Sequence, residues 1–153
     1  MPVLAEPTLA DGLAGGVDAV YSVFFIVHDR FGVLSSDDAG GEGSRPFDAG
    51  RNGFVMSEGA YTVIVEDPEQ HARRGGPAPC GEILGYAAGS EAVPINAWPL
   101  RPDSIARVMR YALADAGVEP EDVDALYAAA NSTPGLDCVE AQAIADVFAA
   151  SPS

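Results

Sequence analysis

The sequence predicts an α/β domain built on a mixed sheet with flanking helices, and three observations carry that expectation. Its 153 residues, 48% of them hydrophobic, are enough for one domain with a core of its own. Its apolar runs, such as "YSVFFIV", "YTVIVE" and "ALYAAA", have the length of strands and are bounded by Gly, Pro and Asp. Between them lies a longer stretch whose apolar residues recur at helical spacing, so strand and helix signals alternate along one chain.

Each element follows from its local chemistry. Residues 9–16, "LADGLAGG", read as the end of a helix broken by glycines, and 18–27, "DAVYSVFFIV", as a largely buried strand. Residues 35–53 are loop by their Gly, Ser and Asp content. "FVMSEGAYTVIVE" (54–66) reads as a strand interrupted at Glu58-Gly59. "DPEQHARRGGPAPCG" connects it to "EILGYAAG" (82–89), a second strand expected to pair with it antiparallel. After a proline-broken linker (90–102), Asp103 caps a helix carrying Ile105, Val108, Met109, Ala112, Leu113 and Ala116 on one stripe, with Gly117 at its end. Asp103 and Arg107 are spaced to pair across one turn. "VEPED" is a turn, "VDALYAAA" a strand, and a last helix starts at Asp137 with Glu140 completing a capping box and runs to about Phe148.

Composition excludes several function classes. The formal net charge is −15, all eight basic residues are arginine, and there is no lysine. Such a surface repels nucleic acid and anionic lipid. No apolar run reaches the length of a membrane span and no leader precedes the first apolar run, which reads as cytosolic. Two cysteines are too few for a disulfide framework, so both are expected reduced. No metal-ligand spacing and no phosphate-cradling glycine motif is present, so no cofactor is expected.

The reactive-looking residues are few. His28 and Asp29, in "HDR", form a His–Asp pair that could serve as a base with its orienting carboxylate. Adjacent residues on an extended strand point to opposite faces, which weakens the pairing. His71 sits in a polar connector. Cys138, at the start of the last helix, has a helix dipole to favour its thiolate and Asp137 and Glu140 to oppose it. Cys80, between Pro79 and Gly81, has no such activation.

Two longer segments resemble a family. "SRPFDAGRNGFVMSEGAYTVIVED" is similar to the Arg-Pro-Phe-Asp…Gly-Phe-Val…Glu-Gly segment of the β-ketoacyl-carrier-protein synthases. "ALADAGVEPEDVDALYAAANSTPGLDCVEAQAIADVF" is similar to their later segment of helix, Pro-Glu-Asp-Val-Asp, strand and Ala-His-Gly-Thr-Ser-Thr-Pro turn. The resemblance runs from about Leu9 to Phe148 and implies a truncated thiolase-like (ketosynthase) fold, a single domain over 1–153. Residues 9–89 would be the end of its first half and 103–149 the start of its second. It sets Ala129 at the family's first active-site histidine, Ala130 at its glycine and Asn131 at a threonine, while Ser132, Thr133 and Pro134 match. Ser132 and Thr133 are turn formers on their own chemistry and substrate-contacting candidates by the resemblance. Glu58 falls on the family's structural Glu-Gly and is the third candidate acid or base after His28 and Asp29. The family's nucleophilic cysteine is expected before this segment, and its second histidine and lysine after it.

Decarboxylative condensation needs a thiolate and donors for the developing oxyanion, so the resemblance implies a chain that does not condense by itself. The Ala-rich turn with Pro-x-Leu-Asp is closer to the chain-length factors of type II polyketide synthases. The implied function is an accessory subunit of such a pathway. The alternative is a small enzyme, a cyclase, dehydratase or hydratase, acting on a polyketide or polyene intermediate through His28, Asp29 or Glu58. A slice of the fold is expected to expose apolar faces, and so to form a homodimer or a complex with a ketosynthase subunit. An acyl carrier protein, itself acidic, is disfavoured by charge unless Arg73 and Arg74 form a local basic patch.

Overall fold

The computed structural model describes residues 11–37, 41–94, 97 and 99–149. Leu9 and Ala10 of the expected first element, and 38–40, 95, 96 and 98 of the expected loops, lie outside them. The described residues divide between two compact units, one drawn from Met1–Val20 and Ser57–Glu82, the other from Tyr21–Met56 and Ile83–Ser153.

The first unit is an antiparallel pair, β1 (Asp11–Asp18) and β2 (Gly59–Glu66), followed by a short helix, α1 (Pro68–Arg74). The eight-residue register pairs Asp11 with Glu66 and Asp18 with Gly59. The helix expected over 9–16 is therefore a strand. Three glycines make that stretch a poor helix, at about 1 kcal/mol each. At Gly15 a side chain would strike the Tyr61 carbonyl across the ladder, so glycine permits the close approach. The connector after β2 is a helix instead. Asp67 accepts from the amides of Glu69 and Gln70, Pro68 occupies the first helical position, and Gly75 closes the end at φ 66°. His71 lies on this helix, its Nδ1 3.0 Å from Glu66 Oε2, and Arg74 donates to the same oxygen at 2.7 Å.

The second unit opens with α2 (Ser22–Arg30), where a strand was expected. A continuous apolar run has no decisive period, and a helix closes its backbone bonds without needing a neighbour. His28 reinforces the helical turn: its Nδ1 donates to the Phe24 carbonyl at 2.8 Å and its ring meets that of Phe24 edge-on at 4.3 Å. Val23, Phe24, Phe25, Ile26 and Val27 are all exposed, an apolar girdle that ordinarily sits under other protein. Further on, Phe54 makes a single parallel bridge to Leu34 rather than starting a long strand.

The core of this unit is α3 (Asp103–Ala116) packed on α4 (Pro134–Phe148). Ala106, Ala143 and Val147 are buried there, with Ile105, Met109, Leu113 and Phe148 against them. The small residues allow close helix approach, and Arg110 donates to the Asp146 carbonyl across the pair at 2.9 Å. The expected Gly117 end holds, but Pro102 rather than Asp103 is the N-cap residue, with no side-chain cap bond, and Asp103, the first helical residue, pairs with Arg101 at 3.0 Å rather than with Arg107. A 3-10 turn spans Pro120–Asp122. Residues 82–89 and 123–130, both expected as strands, carry no regular structure, because a strand exists only through a partner and none of the described residues supplies one. β2 pairs with β1, not with 82–89.

The pairing with His71, and then with Arg74, holds the Glu66 carboxyl below its ordinary 4.5. A lowered folded value means the stabilisation is complete above the ordinary value and is lost as pH falls through the lowered one. Thermal unfolding of wild type and Glu66→Gln should therefore differ at neutral pH and converge below pH 4.5. A difference that persists undiminished into strong acid would contradict this account.

Candidate functional site

Both ends of the candidate site come from the second unit: the turn 128–133 that leads into α4, and the loop 45–53. Three non-glycine residues there have left-handed backbones, Phe47 at φ 62°, Ala130 at φ 44° and Ser132 at φ 71°. Such residues typically cost 1–3 kcal/mol each unless the surroundings enforce them. Here each donates its backbone N–H to a carboxylate of α4. Phe47 N reaches Asp137 Oδ2 at 2.8 Å, Ser132 N reaches Asp137 Oδ1 at 3.1 Å, and Ala130 N reaches Glu140 Oε2 at 2.9 Å. Ala129 N takes the remaining Glu140 oxygen, Oε1, at 2.8 Å. Hydrogen bonds to a charged partner stabilise by about 1.5–3 kcal/mol each, enough to offset the strain.

Asp137 and Glu140 are buried, at 1% and 7% exposure, and their burial is possible because these bonds satisfy them. Arg51 adds its Nε 3.8 Å from Asp137 Oδ2 and fixes its other nitrogens on the carbonyls of Asp48 and Pro134, each at 2.8 Å. The two segments are also stitched directly. Arg45 N donates to Ser132 Oγ at 2.9 Å, and Gly53 N donates to the Ser132 carbonyl at 3.1 Å. Gly53 has φ 139°, and a side chain there would come within 2.4 Å of the Leu34 carbonyl carbon, so no other residue fits.

The capping-box expectation is corrected by this arrangement. α4 begins at Pro134 with Thr133 as its N-cap residue, three residues earlier than expected, and neither Asp137 nor Glu140 caps it. Both reach instead to the preceding turn, and Asp137 also to the 45–53 loop. Sequence reasoning treated them as local, whereas four backbone N–H groups depend on them. The available signal was their place on the inward stripe with Val139 and Ala143, where an acid must find partners.

Ser132 is fully buried and Thr133 nearly so; their hydroxyls engage Arg45 N and Asn131 Oδ1, the latter at 2.6 Å. Ala129 presents a methyl group. His28 lies in α2, its Nδ1 committed to Phe24 and its ring 5.8 Å from that of Phe54; Asp29 is exposed on the same helix. Glu58 belongs to the first unit, where its Oε1 accepts from Val20 N at 2.6 Å. No hydrogen bond or ion pair joins His28 to Asp29 among the described residues. Both cysteines are free and exposed, and Gln142 approaches Cys138 Sγ at 3.5 Å. None of these residues lines the open cavity of about 320 Å³ between residues 89–91 and the first turns of α3. Among the described residues there is no cluster of His, Cys, Asp or Glu that could hold a metal, and no helix long and apolar enough to cross a membrane.

Residues 12–71 match the family model of the β-ketoacyl synthase N-terminal domain, and residues 80–153 that of its C-terminal domain. The tetracenomycin polyketide synthase ketoacyl synthase beta subunit of Streptomyces glaucescens is 36% identical over 147 residues, 95% of this chain and 35% of that protein. Among solved structures, the ishigamide ketosynthase/chain length factor is 37% identical with a TM-score of 0.79, over 94% of this chain and 34% of that one. A chain from a type II polyketide synthase acyl-carrier protein in complex with its ketosynthase, bound to the hexaketide, is 30% identical with a TM-score of 0.84, over 91% and 35%. This chain thus spans about a third of the length of these relatives.

Two substitutions test the carboxylate grip. Asp137→Ala leaves the Phe47 and Ser132 amides without their acceptor and should cost about 3 kcal/mol or more in denaturant unfolding. A loss under about 1 kcal/mol would show the grip to be dispensable. Ala130→Gly removes the left-handed strain and should stabilise by about 1 kcal/mol, raising the unfolding midpoint; an unchanged or lowered midpoint would contradict the strain.

Proposed function

Because this chain belongs to the β-ketoacyl synthase family and carries part of its thiolase-like fold, we propose that it is a non-condensing, chain-length-factor-like accessory subunit of a type II polyketide pathway. The observation that carries this reading is the turn 128–133. Its side chains offer two methyl groups, at Ala129 and Ala130, where proton transfer or oxyanion stabilisation would need an imidazole or a donor. The acids beside it, Asp137 and Glu140, are spent on its backbone and on the amide of Phe47. The turn is built to keep its shape and has nothing left over with which to react.

The contacts such a subunit needs are supported by its surface. Val23, Phe24, Phe25, Ile26 and Val27 on α2, and Leu13, Tyr61, Val63 and Ile64 on the β1–β2 pair, are exposed. Apolar surface of this density is a recognised mark of a protein–protein contact. The partner that the reading names is a ketosynthase subunit. An acidic carrier protein is the poorer candidate: Arg73 and Arg74 are paired with Glu69 and Glu66, at 3.5 and 2.7 Å, and do not form a free basic patch.

Co-expression with a type II ketosynthase subunit should give a complex that survives gel filtration, while the chain alone should neither decarboxylate nor condense a malonyl thioester. Separate elution of the two chains would overturn the subunit reading. Turnover of a polyketide intermediate by the isolated chain, abolished by His28→Ala, Asp29→Ala or Glu58→Ala, would replace it with the acid–base enzyme.

A further inference from the structure

Asn52-Gly53 is the one Asn-Gly pair in the chain; Asn96 precedes alanine and Asn131 precedes serine. Asparagine is a thermolabile residue, and most so before glycine. The glycine backbone nitrogen, with no side chain beside it, attacks Cγ of the asparagine. The Cγ–Nδ2 bond breaks, ammonia leaves with the amide proton, and a cyclic succinimide remains. Water then opens the ring at either carbonyl. One opening gives aspartate; the other gives isoaspartate, whose main chain runs through the former side chain.

The fold requires this labile pair and also restrains it. Gly53 is buried at φ 139°, and a Cβ there would strike the Leu34 carbonyl, so the position demands glycine. Both ends of the Asn52 amide are in use. Its Oδ1 accepts from Ser35 Oγ at 2.7 Å, and its Nδ2 donates to the Ser36 carbonyl at 2.9 Å. Ser35 Oγ is itself fixed by the Gly43 amide at 3.0 Å. The Gly53 N–H donates to the Ser132 carbonyl at 3.1 Å. Ring closure needs the Asn52 side chain to swing off Ser35 and Ser36, and the Gly53 nitrogen to give up the proton it shares with Ser132. Those bonds must open first.

We propose that Asn52 is a deamidation site held unreactive by the fold, and that its conversion is a one-way release of the 45–53 loop from the 128–133 turn. Isoaspartate adds a carbon to the main chain between 52 and 53. Immediately after that point Gly53 N bonds Ser132, while Phe54 N and its carbonyl bond the Val33 carbonyl and the Ser35 amide, at 3.0 and 2.9 Å. A lengthened chain cannot keep all three. The aspartate product loses the Nδ2 donor and sets a carboxylate against the Ser36 carbonyl. A local opening thereby becomes permanent. The inference concerns the stitch beneath the turn and does not depend on the subunit reading.

The whole chain and a peptide of residues 50–55 are incubated side by side in mildly alkaline buffer. Conversion of Asn52 is followed by peptide mapping and by labelling with an isoaspartyl methyltransferase. The folded chain should react at least about tenfold more slowly than the peptide, and urea should abolish the difference. Hydrogen exchange at the Gly53 amide should be slowed by a comparable factor, a readout that needs no substitution. Ser35→Ala should speed the reaction several-fold, well beyond Val147→Ala, a core variant that leaves the Asn52 and Gly53 bonds in place. The converted chain should unfold at a lower denaturant midpoint than the unreacted one. Reaction of the folded chain at the peptide's rate would overturn the proposal, as would a slow reaction beside a freely exchanging Gly53 amide. Equal acceleration by Ser35→Ala and Val147→Ala would assign control to global unfolding and remove the local restraint. An unchanged midpoint after conversion would remove the release.

Discussion

Asp137 and Glu140 sit on the inward side of α4 and between them accept four backbone N–H groups, from Phe47, Ala129, Ala130 and Ser132. Much of the second unit follows from this. The turn 128–133 and the loop 45–53 are irregular segments with left-handed residues that no local preference would choose. An ionised acceptor on a packed helix can hold such a backbone because its bonds are strong and its own position is fixed by the α3–α4 core. Ser132 then carries the grip from one segment to the other, through its hydroxyl to Arg45 and its carbonyl to Gly53.

The same grip separates shape from reactivity. The turn keeps a defined geometry with only methyl groups at Ala129 and Ala130, so its conformation does not depend on the side chains at those two positions. A protein can therefore retain the turn for packing after the chemistry of that position has changed. The pattern around 128–138 accordingly resembles the family's loop while displaying methyl groups at Ala129 and Ala130.

The two units differ in how much they cover of themselves. α3 and α4 bury a small-residue seam, whereas α2 and the β1–β2 pair expose most of their apolar side chains. A two-stranded sheet with uncovered faces is marginal alone. The stability of those elements therefore depends on how far their apolar faces are covered.

Particular residues show how much was legible beforehand. The α3 helix, its apolar stripe and its Gly117 end were readable because helical period and caps are local. The helix over 68–74, which composition predicts as a connector, carries equally local signals in its Asp67-Pro68 start and Arg74-Gly75 end. The segments 9–16 and 18–27 take the opposite states to those their composition predicts, because a run of apolar residues or a cluster of glycines does not fix its own hydrogen-bond partners. Of the candidate site, the turn and its matching Ser132, Thr133 and Pro134 were visible, but the roles of Asp137 and Glu140 were not. By itself the sequence determined the family, the acidic charge and the absence of a reactive side chain at Ala129. Only the tertiary structure decided which backbone groups the two acids hold and which strands pair, because both depend on residues up to 90 positions apart meeting in space.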